Sequence, residues 1–337
     1  MKQVLVESQA NGEAVKNPAE GWIEARLGSS SDTRWGARYL VRLPRGYRED
    51  EARRWPVIVF MHGSGERGED FARLRSQGLP AHIDAGLELP AIVVVPQVPA
   101  GQLWHPLFVD AVLREVERDW RADAERIALT GLSMGGMGAL ATALAFPDRF
   151  CAVAAVAAGL FNDVIAASAA LPLPPPESWQ PVLARIKDLP LWLAHGRADE
   201  TVSPLCAERL VAILSALGNP PRTSFYDGVG HDCWTRFYGE TPELYDWLLA
   251  RPRSAQTLPT PEAADVYAGS YVAPDGDEVE IEAEASRLRA RGLTRNEELL
   301  LPLGGGNFVA GALFRFRAYG AQGMRLIEPG LGEFRRR

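Results

Sequence analysis

Residues 126–145 read RIALTGLSMGGMGALATALA and contain the transition on which the fold depends. The apolar run Ile127–Leu129 is typical of a buried strand, and the small residues that follow are typical of a closely packed helix. Between them stands Ser133, with Gly131 and Gly135 two positions away on either side. This G-x-S-x-G spacing favours a sharp strand-to-helix turn that exposes one serine, because glycines relieve the steric conflict of such a turn.

Strand and helix patterns alternate on both sides of this turn. Continuous apolar runs that end in glycine or proline predict strands covered on both faces, as in a parallel sheet, at 56–63, 91–97, 126–131, 151–159 and 190–196. Helical patterns occupy 108–120, 204–218 and 241–250, the last with Thr241 as N-cap. Residues 39–44 alternate apolar and basic side chains, as an exposed antiparallel strand does. The sequence therefore predicts an α/β domain with a mainly parallel sheet over residues 1–252.

The pattern changes after a polar, proline-containing break at residues 251–262. Short alternating segments punctuated by glycine and proline then predict a small antiparallel β domain over residues 262–337. About 70 residues is small for an independent core, so we expect this domain to pack on the first one. Gating of a site, formation of a homo-oligomer and binding of a polymeric substrate are open roles, and packing or oligomerisation is favoured.

Composition narrows the function classes. The 337 residues are 47% hydrophobic and 23% charged, with a net charge of -7, as in an ordinary globular protein. That balance gives no electrostatic reason to expect nucleic acid or a membrane surface as partner. Three cysteines without CxxC spacing argue against a disulfide framework or a zinc site and favour a reducing compartment, with the cytoplasm as the expected location.

A serine hydroxyl becomes a strong nucleophile only when a base removes its proton and a third group orients that base. His195 and His231 are the histidines that follow Ser133 in the chain. His231 lies in a glycine-rich loop before the last helix of the first domain, which suits a mobile base. His195 ends a predicted strand, so we interpret it as a turn histidine that hydrogen-bonds locally.

The acid is expected in the loop after the strand that ends at His195. The stretch HGRADETV, residues 195–202, offers Asp199 as first choice and Glu200 as reserve. Asp227 and Asp232 lie close to His231 in sequence, but in an extended loop they cannot easily reach the far ring nitrogen. We interpret both as turn residues.

A developing oxyanion needs N–H donors that are already oriented. The backbone of Met134, directly after the serine, is one candidate, and the loop HGSGERG at 62–68 supplies the other, with Ser64 chosen and Gly63 in reserve. His62 is interpreted as a buried residue that shapes this loop. For substrate binding, Trp104, Trp179 and Trp234 occur in or next to loops at the expected catalytic edge, and Trp234 and Trp104 are chosen as candidates.

Four motifs, taken in order, resemble one group of α/β-hydrolases. They are LPRGYREDEARRWPVIVFMHGSGERGED at 43–70, GLSMGGMGALATALAFPDRF at 131–150, HGRADETV at 195–202 and GVGHDCW at 228–234. The group comprises predicted esterases and peptidases related to dienelactone hydrolase, the phospholipase/carboxylesterase family and feruloyl esterases. The resemblance covers about residues 20–250 and implies a Ser133–His231–Asp199 triad, acyl transfer to water and no metal or organic cofactor. The β tail is similar to lipocalin-like domains appended to some serine hydrolases.

Three functions stay open at this point. The first is hydrolysis of a small-molecule carboxylic ester, with short acyl or aryl groups expected. The second is a serine peptidase of the prolyl-oligopeptidase type, and the third is a non-catalytic binding protein on a hydrolase fold. Residues 160–186, with a proline cluster, are either a short cap over the site or a surface excursion.

Overall fold

The computed structural model describes residues 21–28, 33–168, 176, 179–253, 264–272, 276, 278–284, 287–292, 298–304, 307–309, 313–318, 324–328 and 332–336. Within these ranges eight strands form a first sheet. They are β1 (Trp22–Arg26), β2 (Arg38–Arg42), β3 (Trp55–Met61), β4 (Ile92–Gln97), β5 (Ala122–Leu132), β6 (Ala152–Val156), β7 (Leu191–Gly196) and β8 (Arg222–Tyr226).

The strand order in this sheet is β1-β2-β4-β3-β5-β6-β7-β8. β1 pairs with β2 and β2 with β4 in antiparallel fashion, whereas every pairing from β4 to β8 is parallel. The carboxyl ends of β3 to β8 therefore meet at one edge of the sheet, where the loops after them gather. The predicted mainly parallel sheet is confirmed.

Helices cover both faces of the sheet. They are α1 (Phe71–Leu74), α2 (Gly78–Asp84), α3 (Pro106–Asp119), α4 (Met134–Ala145), α5 (Phe161–Ser168), α6 (Gln180–Leu183), α7 (Pro204–Ala216), α8 (Trp234–Glu240) and α9 (Glu243–Leu249). Successive side chains of β3 enter opposite cores, with Val59 and Met61 in one cluster and Ile58 and Phe60 in the other. The continuous apolar run of this strand is thus explained by burial on both faces.

Two local predictions needed correction. The segment at 39–44 was expected to be an exposed strand, but Tyr39, Leu40 and Val41 are at most 2% exposed because β2 lies between β1 and β4. The last helix was expected to begin after a Thr241 cap, but α8 ends at Glu240 with Thr241 as its C-cap, and α9 begins at Glu243 with Pro242 as its N-cap. The edge strand β1 was not predicted at all.

A second sheet follows the first in sequence. Its strands are β9 (Gly269–Val272), β10 (Glu278–Glu284), β11 (Arg287–Arg291), β12 (Glu298–Gly304), β13 (Asn307–Val309), β14 (Leu313–Ala318), β15 (Met324–Glu328) and β16 (Gly332–Arg336). Each strand pairs antiparallel with the next, and β16 pairs with β9, so the sheet closes into a small barrel. This arrangement confirms the predicted antiparallel β unit after the α/β part of the chain.

The barrel contacts the first sheet's layer of helices. β12 and β13 lie against α4, and Leu301 of β12 belongs to the same buried cluster as Leu140 and Leu144 of α4. The domain limits 1–252 and 262–337, and the likeness of the tail to lipocalins, stay predictions. In the residues that the structure describes, we find no helix with the length and apolar character needed to span a membrane.

The excursion between β6 and β7 is described only in part. α5 and α6 belong to it, while residues 169–175, 177 and 178 lie outside the described residues. The Nε1–H of Trp179 donates to Asp163 at 3.0 Å, and Arg209 of α7 contacts the same carboxylate at 2.9 Å. Both Trp179 and Asp163 are buried, so the described part is anchored to α7.

Candidate active site

The turn between β5 and α4 carries Ser133 in a backbone conformation that few residues adopt. Ser133 has a φ of 52° and a ψ of -121°, and it directly precedes the first residue of α4. A non-glycine residue at positive φ stores about 1–3 kcal/mol of strain, which surrounding contacts must offset. One such contact is the hydrogen bond from the backbone N–H of Ser133 to the carbonyl oxygen of Val156, at 2.8 Å.

Glycine at 135 is required by close approach of two backbones. A Cβ atom built on Gly135 would overlap the carbonyl oxygen of Met61, at the end of β3, and would lie 2.6 Å from that of His62. At Gly131 a Cβ would lie 2.6 Å from the backbone of Gly135 itself. We call residues 131–136 the elbow. It brings the start of α4 directly against the carboxyl end of the sheet.

Three predicted side chains meet above the elbow. The Nε2 atom of His231 lies 2.9 Å from the Oγ atom of Ser133, and its Nδ1 atom lies 2.7 Å from Oδ2 of Asp199. Ser133 and His231 are partly exposed, whereas the Asp199 side chain is fully buried. The arrangement forms one hydrogen-bonded chain from a buried carboxylate to a hydroxyl that solvent can reach.

The carboxylate of Asp199 is surrounded by donors. Oδ1 accepts the backbone N–H groups of Thr201 and Val202, each at 2.9 Å. Oδ2 accepts from His231 and lies 3.1 Å from Nε2 of His195. Burial by itself would raise the pKa of Asp199, but the hydrogen bonds from His195, His231 and the backbone outweigh it and hold that pKa well below its ordinary value. Asp199 is therefore ionised at neutral pH.

The loops that carry the acid and the histidine are fastened to each other. We call residues 196–202 the Asp199 loop and residues 227–233 the His231 loop. The backbone N–H of Ala198 donates to the carbonyl oxygen of Val229 at 2.9 Å. A Cβ on Gly196 would overlap the carbonyl oxygens of Val229 and Gly230, so only glycine permits this approach. The two loops thus hold the imidazole and the carboxylate at a fixed separation.

The residues predicted to supply N–H donors lie directly after the serine and in the loop that follows β3. Met134 is the first residue of α4, so its backbone N–H has no acceptor within the helix. Ser64 opens a short 3-10 helix, Ser64–Glu66, and is exposed, while Gly63 before it is buried. The oxyanion roles of Met134 and Ser64 stay predictions.

His62 fixes the start of the loop that contains Ser64. Its Nδ1–H donates to the carbonyl oxygen of Gly63 at 2.6 Å, while Nε2 accepts the backbone N–H of Val98 at 3.0 Å. Burial lowers the pKa of His62 to about 4. The ring is therefore neutral at ordinary pH, as acceptance of the Val98 N–H by Nε2 requires. This agrees with the interpretation of His62 as a buried residue that shapes the loop.

The two tryptophans proposed as substrate contacts differ in position. Trp104 is 2% exposed, donates through Nε1 to the carbonyl oxygen of His62 at 3.0 Å and packs near Phe108. Almost none of its surface is left for a ligand. Trp234 is also buried, but its ring stands edge-on to His231, with ring centroids 5.1 Å apart. Of the two, only Trp234 touches the hydrogen-bonded chain.

The remaining acidic side chains near the site point elsewhere. Glu200 is exposed, Asp227 pairs with Arg197 at 3.0 Å, and Asp232 accepts the backbone N–H of Thr235 at 3.1 Å. The positions of Asp227 and Asp232 agree with their interpretation as turn residues, and the carboxylate that contacts His231 is that of Asp199, not of the reserve Glu200. Sequence reasoning missed the contact between His195 and Asp199. The motif HGRAD contains both residues four positions apart, and this spacing is the signal that could have found it.

The fold and the hydrogen bonds that link Asp199, His231 and Ser133 are those of an α/β-hydrolase. A family model described as "Putative esterase" matches residues 30–224, which is more than half of the chain. The chain belongs to this esterase family. The matched segment contains the elbow and the Asp199 loop, and it ends before His231.

Individual proteins add to this picture. The S-formylglutathione hydrolase of Paracoccus denitrificans (strain Pd 1222) is 32% identical over 114 residues, which are 32% of this chain and 38% of that relative. A thermostable esterase of known structure is 26% identical, with a TM-score of 0.51, over 64% of this chain and 59% of the other. The match therefore spans less than two thirds of the length of either protein.

A further likeness concerns the fold alone. An acetyl xylan esterase from Aspergillus awamori aligns with a TM-score of 0.51 over 67% of this chain and 99% of its own, at 16% identity. About two thirds of this chain thus share the fold of nearly all of that chain.

Proposed function

We propose that this protein is a serine hydrolase that cleaves carboxylic esters through an acyl-serine intermediate. The observation that carries the proposal is the chain from Asp199 through His231 to Ser133, with donor–acceptor distances of 2.7 and 2.9 Å. Membership in an esterase family supports the choice of ester over other acyl compounds. A non-catalytic binding protein would have no need of all three groups in contact.

Acylation begins when His231 Nε2 takes the proton of Ser133 Oγ while Oγ attacks the ester carbonyl carbon. The carbonyl oxygen becomes an oxyanion, and the backbone N–H groups of Met134 and Ser64 donate to it. The protonated imidazole is stabilised by the ionised Asp199. The bond to the alkoxy group then breaks, and His231 returns its proton to the departing alcohol.

Deacylation repeats these steps with water as the nucleophile. His231 removes a proton from water, the hydroxide attacks the acyl-serine carbonyl carbon, and the same N–H groups donate to the second oxyanion. The carbon–Oγ bond breaks, His231 returns the proton to Ser133, and the carboxylic acid leaves. Atoms and charge balance without any group outside the chain and water.

We propose short acyl or aryl esters as the substrate class. The relative from Paracoccus denitrificans is named for a formyl group, which is the smallest acyl group. On this chain, the ring of Trp234 stands against the imidazole of His231 and gives the base an apolar neighbour. A panel of p-nitrophenyl esters from acetate to decanoate, together with S-formylglutathione and an aryl ester, tests this class. A preference for decanoate would contradict it.

The proposed mechanism is tested by Ser133→Ala. We expect kcat for p-nitrophenyl acetate to fall by about four orders of magnitude or more, because the nucleophile is removed. Circular dichroism and Tm should change little, since alanine occupies no new space. The matched control is Ser215→Ala on α7, where an exposed hydroxyl donates to its own helix at 2.7 Å. That variant should keep full activity. Turnover by Ser133→Ala at the normal rate would refute the mechanism.

Two further assays separate the alternatives. A fluorophosphonate probe should label Ser133 in the folded protein, and failure to label would favour a binding protein. Aminoacyl anilides measured beside p-nitrophenyl acetate compare amide and ester cleavage. Faster anilide cleavage would favour a peptidase of the prolyl-oligopeptidase type.

A further inference from the structure

His195 is a buried polar residue at the end of an otherwise apolar strand. It is the penultimate residue of β7, it has no exposed surface, and its neighbours on the strand are buried alanine and glycine. Burial of a polar side chain costs about 1–3 kcal/mol unless hydrogen bonds replace those to water. The ring must therefore be held by contacts inside the protein.

Both inner contacts of the ring are made by one nitrogen. Nε2 lies 2.9 Å from the carbonyl oxygen of Val202 and 3.1 Å from Oδ2 of Asp199. A carbonyl oxygen only accepts hydrogen bonds, so Nε2 carries the proton and donates. The same N–H is therefore shared between Val202 and the carboxylate.

The other ring nitrogen contributes nothing in the described part of the protein. Nδ1 is buried and makes no hydrogen bond there. An apolar side chain at this position would avoid that unsatisfied atom. The polar contacts of His195 thus serve the Asp199 loop and have no second use in the core.

We propose that His195 is a positioning residue that fixes Asp199 Oδ2 for its hydrogen bond to His231, an inference that rests on the proposed function. Oδ1 is held by two backbone N–H groups, and these alone do not fix the position of Oδ2. The buried His195 fixes Oδ2 by donating to it, and the partly exposed His231 donates to the same oxygen at 2.7 Å.

The contact also sets how strongly the carboxylate attracts a proton on His231. Donation from His195 draws negative charge at Oδ2 toward itself. Without it, more negative charge faces His231 and favours the protonated imidazole. Cys233 is a further titratable group near Asp199, and its thiol pKa is raised to about 12 by burial and, next, by the charge of Asp199. It stays neutral, and exposed Asp232 is engaged with Thr235.

Three substitutions test the inference. In His195→Gln the amide nitrogen can occupy the place of Nε2 and keep the donor. In His195→Asn the amide nitrogen lies near the place of Nδ1, which makes no hydrogen bond in the described part of the protein. His195→Leu has no donor at all. We expect the glutamine variant to keep kcat/KM within about threefold of the original, while the other two lose about tenfold to a hundredfold. Their acid limb of kcat/KM should move to higher pH by about one unit.

All rates are normalised to the fraction of protein that reacts with a fluorophosphonate. This step separates the two proposals. Absence of labelling in the unchanged protein would contradict the proposed function, whereas normal labelling with unchanged normalised rates in the asparagine and leucine variants would contradict the inference alone. A merely structural role for His195 would lower Tm equally in the three variants and leave the normalised pH profile in place. That result, or equal activity of the glutamine and asparagine variants, would overturn the proposal. Should the leucine variant fail to fold, the glutamine–asparagine pair decides.

Discussion

The elbow and the Asp199 loop hold their side chains at the same edge of the sheet by different physical means. In the elbow, backbone packs directly against backbone, since a Cβ on Gly135 would overlap the carbonyl oxygen of Met61, and Ser133 next to it has a φ of 52°. In the Asp199 loop, four donors surround one carboxylate. Steric fixation depends on shape alone, whereas fixation by hydrogen bonds depends on charge and protonation. Substitutions in the elbow should therefore impair folding. Substitutions in the Asp199 loop should lower activity or alter its dependence on pH.

The largest effect is expected from Gly135→Ala, which attacks the steric side of this comparison. The added Cβ would overlap a backbone oxygen of Met61, and a backbone atom cannot rotate aside as the end of a side chain can. We expect the free energy of unfolding to fall by about 4 kcal/mol or more, or folding to fail. Chemical denaturation measures it.

The matched control for that substitution is Gly65→Ala. Gly65 lies in the Ser64–Glu66 turn, and nothing lies within 4 Å of a Cβ built on it. Its free energy of unfolding should change by no more than about 0.5 kcal/mol. If Gly135→Ala were as stable as Gly65→Ala, backbone packing would not be what fixes the elbow.

Asp199→Asn tests the polar side of the comparison. The amide keeps an oxygen for the N–H groups of Thr201 and Val202, so the loop should fold. The amide nitrogen then faces His231 and cannot accept from it, which favours the wrong tautomer of the imidazole. We expect kcat for p-nitrophenyl acetate to fall about 10⁴-fold with a much smaller change in Tm.

Asp227→Asn is the control for this charge. Asp227 is in the His231 loop, but its side chain is 91% exposed and pairs only with Arg197 among the described contacts. We expect its activity to equal that of the unchanged protein. An equal loss in both variants would mean that the overall negative charge near the loops matters, and not the contact with His231.

The same contrast explains what the sequence could and could not predict. The elbow was predictable because steric rules leave few residue types at Gly131, Ser133 and Gly135. The Asp199 and His231 loops were predictable because strand ends meet at one edge of a parallel sheet. The position of β2 inside the sheet was not, because pairing between distant segments decides the strand order.

Single contacts inside the site were also beyond the sequence. The distance from His195 Nε2 to the Asp199 carboxylate depends on how the Asp199 loop turns back after Gly196. The burial of Trp104 depends on helix α4, where a Cβ on Gly138 would lie 2.6 Å from the Trp104 side chain. Such distances follow from packing between elements that are far apart in the chain. A motif names the residues but does not fix those distances.

A smaller effect, the response to acid, sharpens the comparison. His62 lies at the start of the loop 62–68, which contains Ser64, and its Nε2 accepts a hydrogen bond from Val98 that requires the neutral ring. Burial lowers the pKa of His62 from 6.5 to about 4. Below pH 6.5 the unfolded chain binds a proton that the folded protein does not accept. The contribution is therefore complete above pH 6.5 and is lost as the pH falls toward 4, by about 3 kcal/mol in all. The elbow has no such titrating group.

We expect the free energy of unfolding to decrease between pH 6.5 and 4 in the original protein, and the decrease to be clearly smaller in His62→Phe. The variant should be less stable at pH 7, because the N–H of Val98 and the carbonyl of Gly63 lose their partner. Urea unfolding at several pH values gives both quantities, since it separates the level of stability from its slope. An unchanged slope in His62→Phe would show that other groups titrate in this range. The loss of stability in acid would then come from groups other than His62.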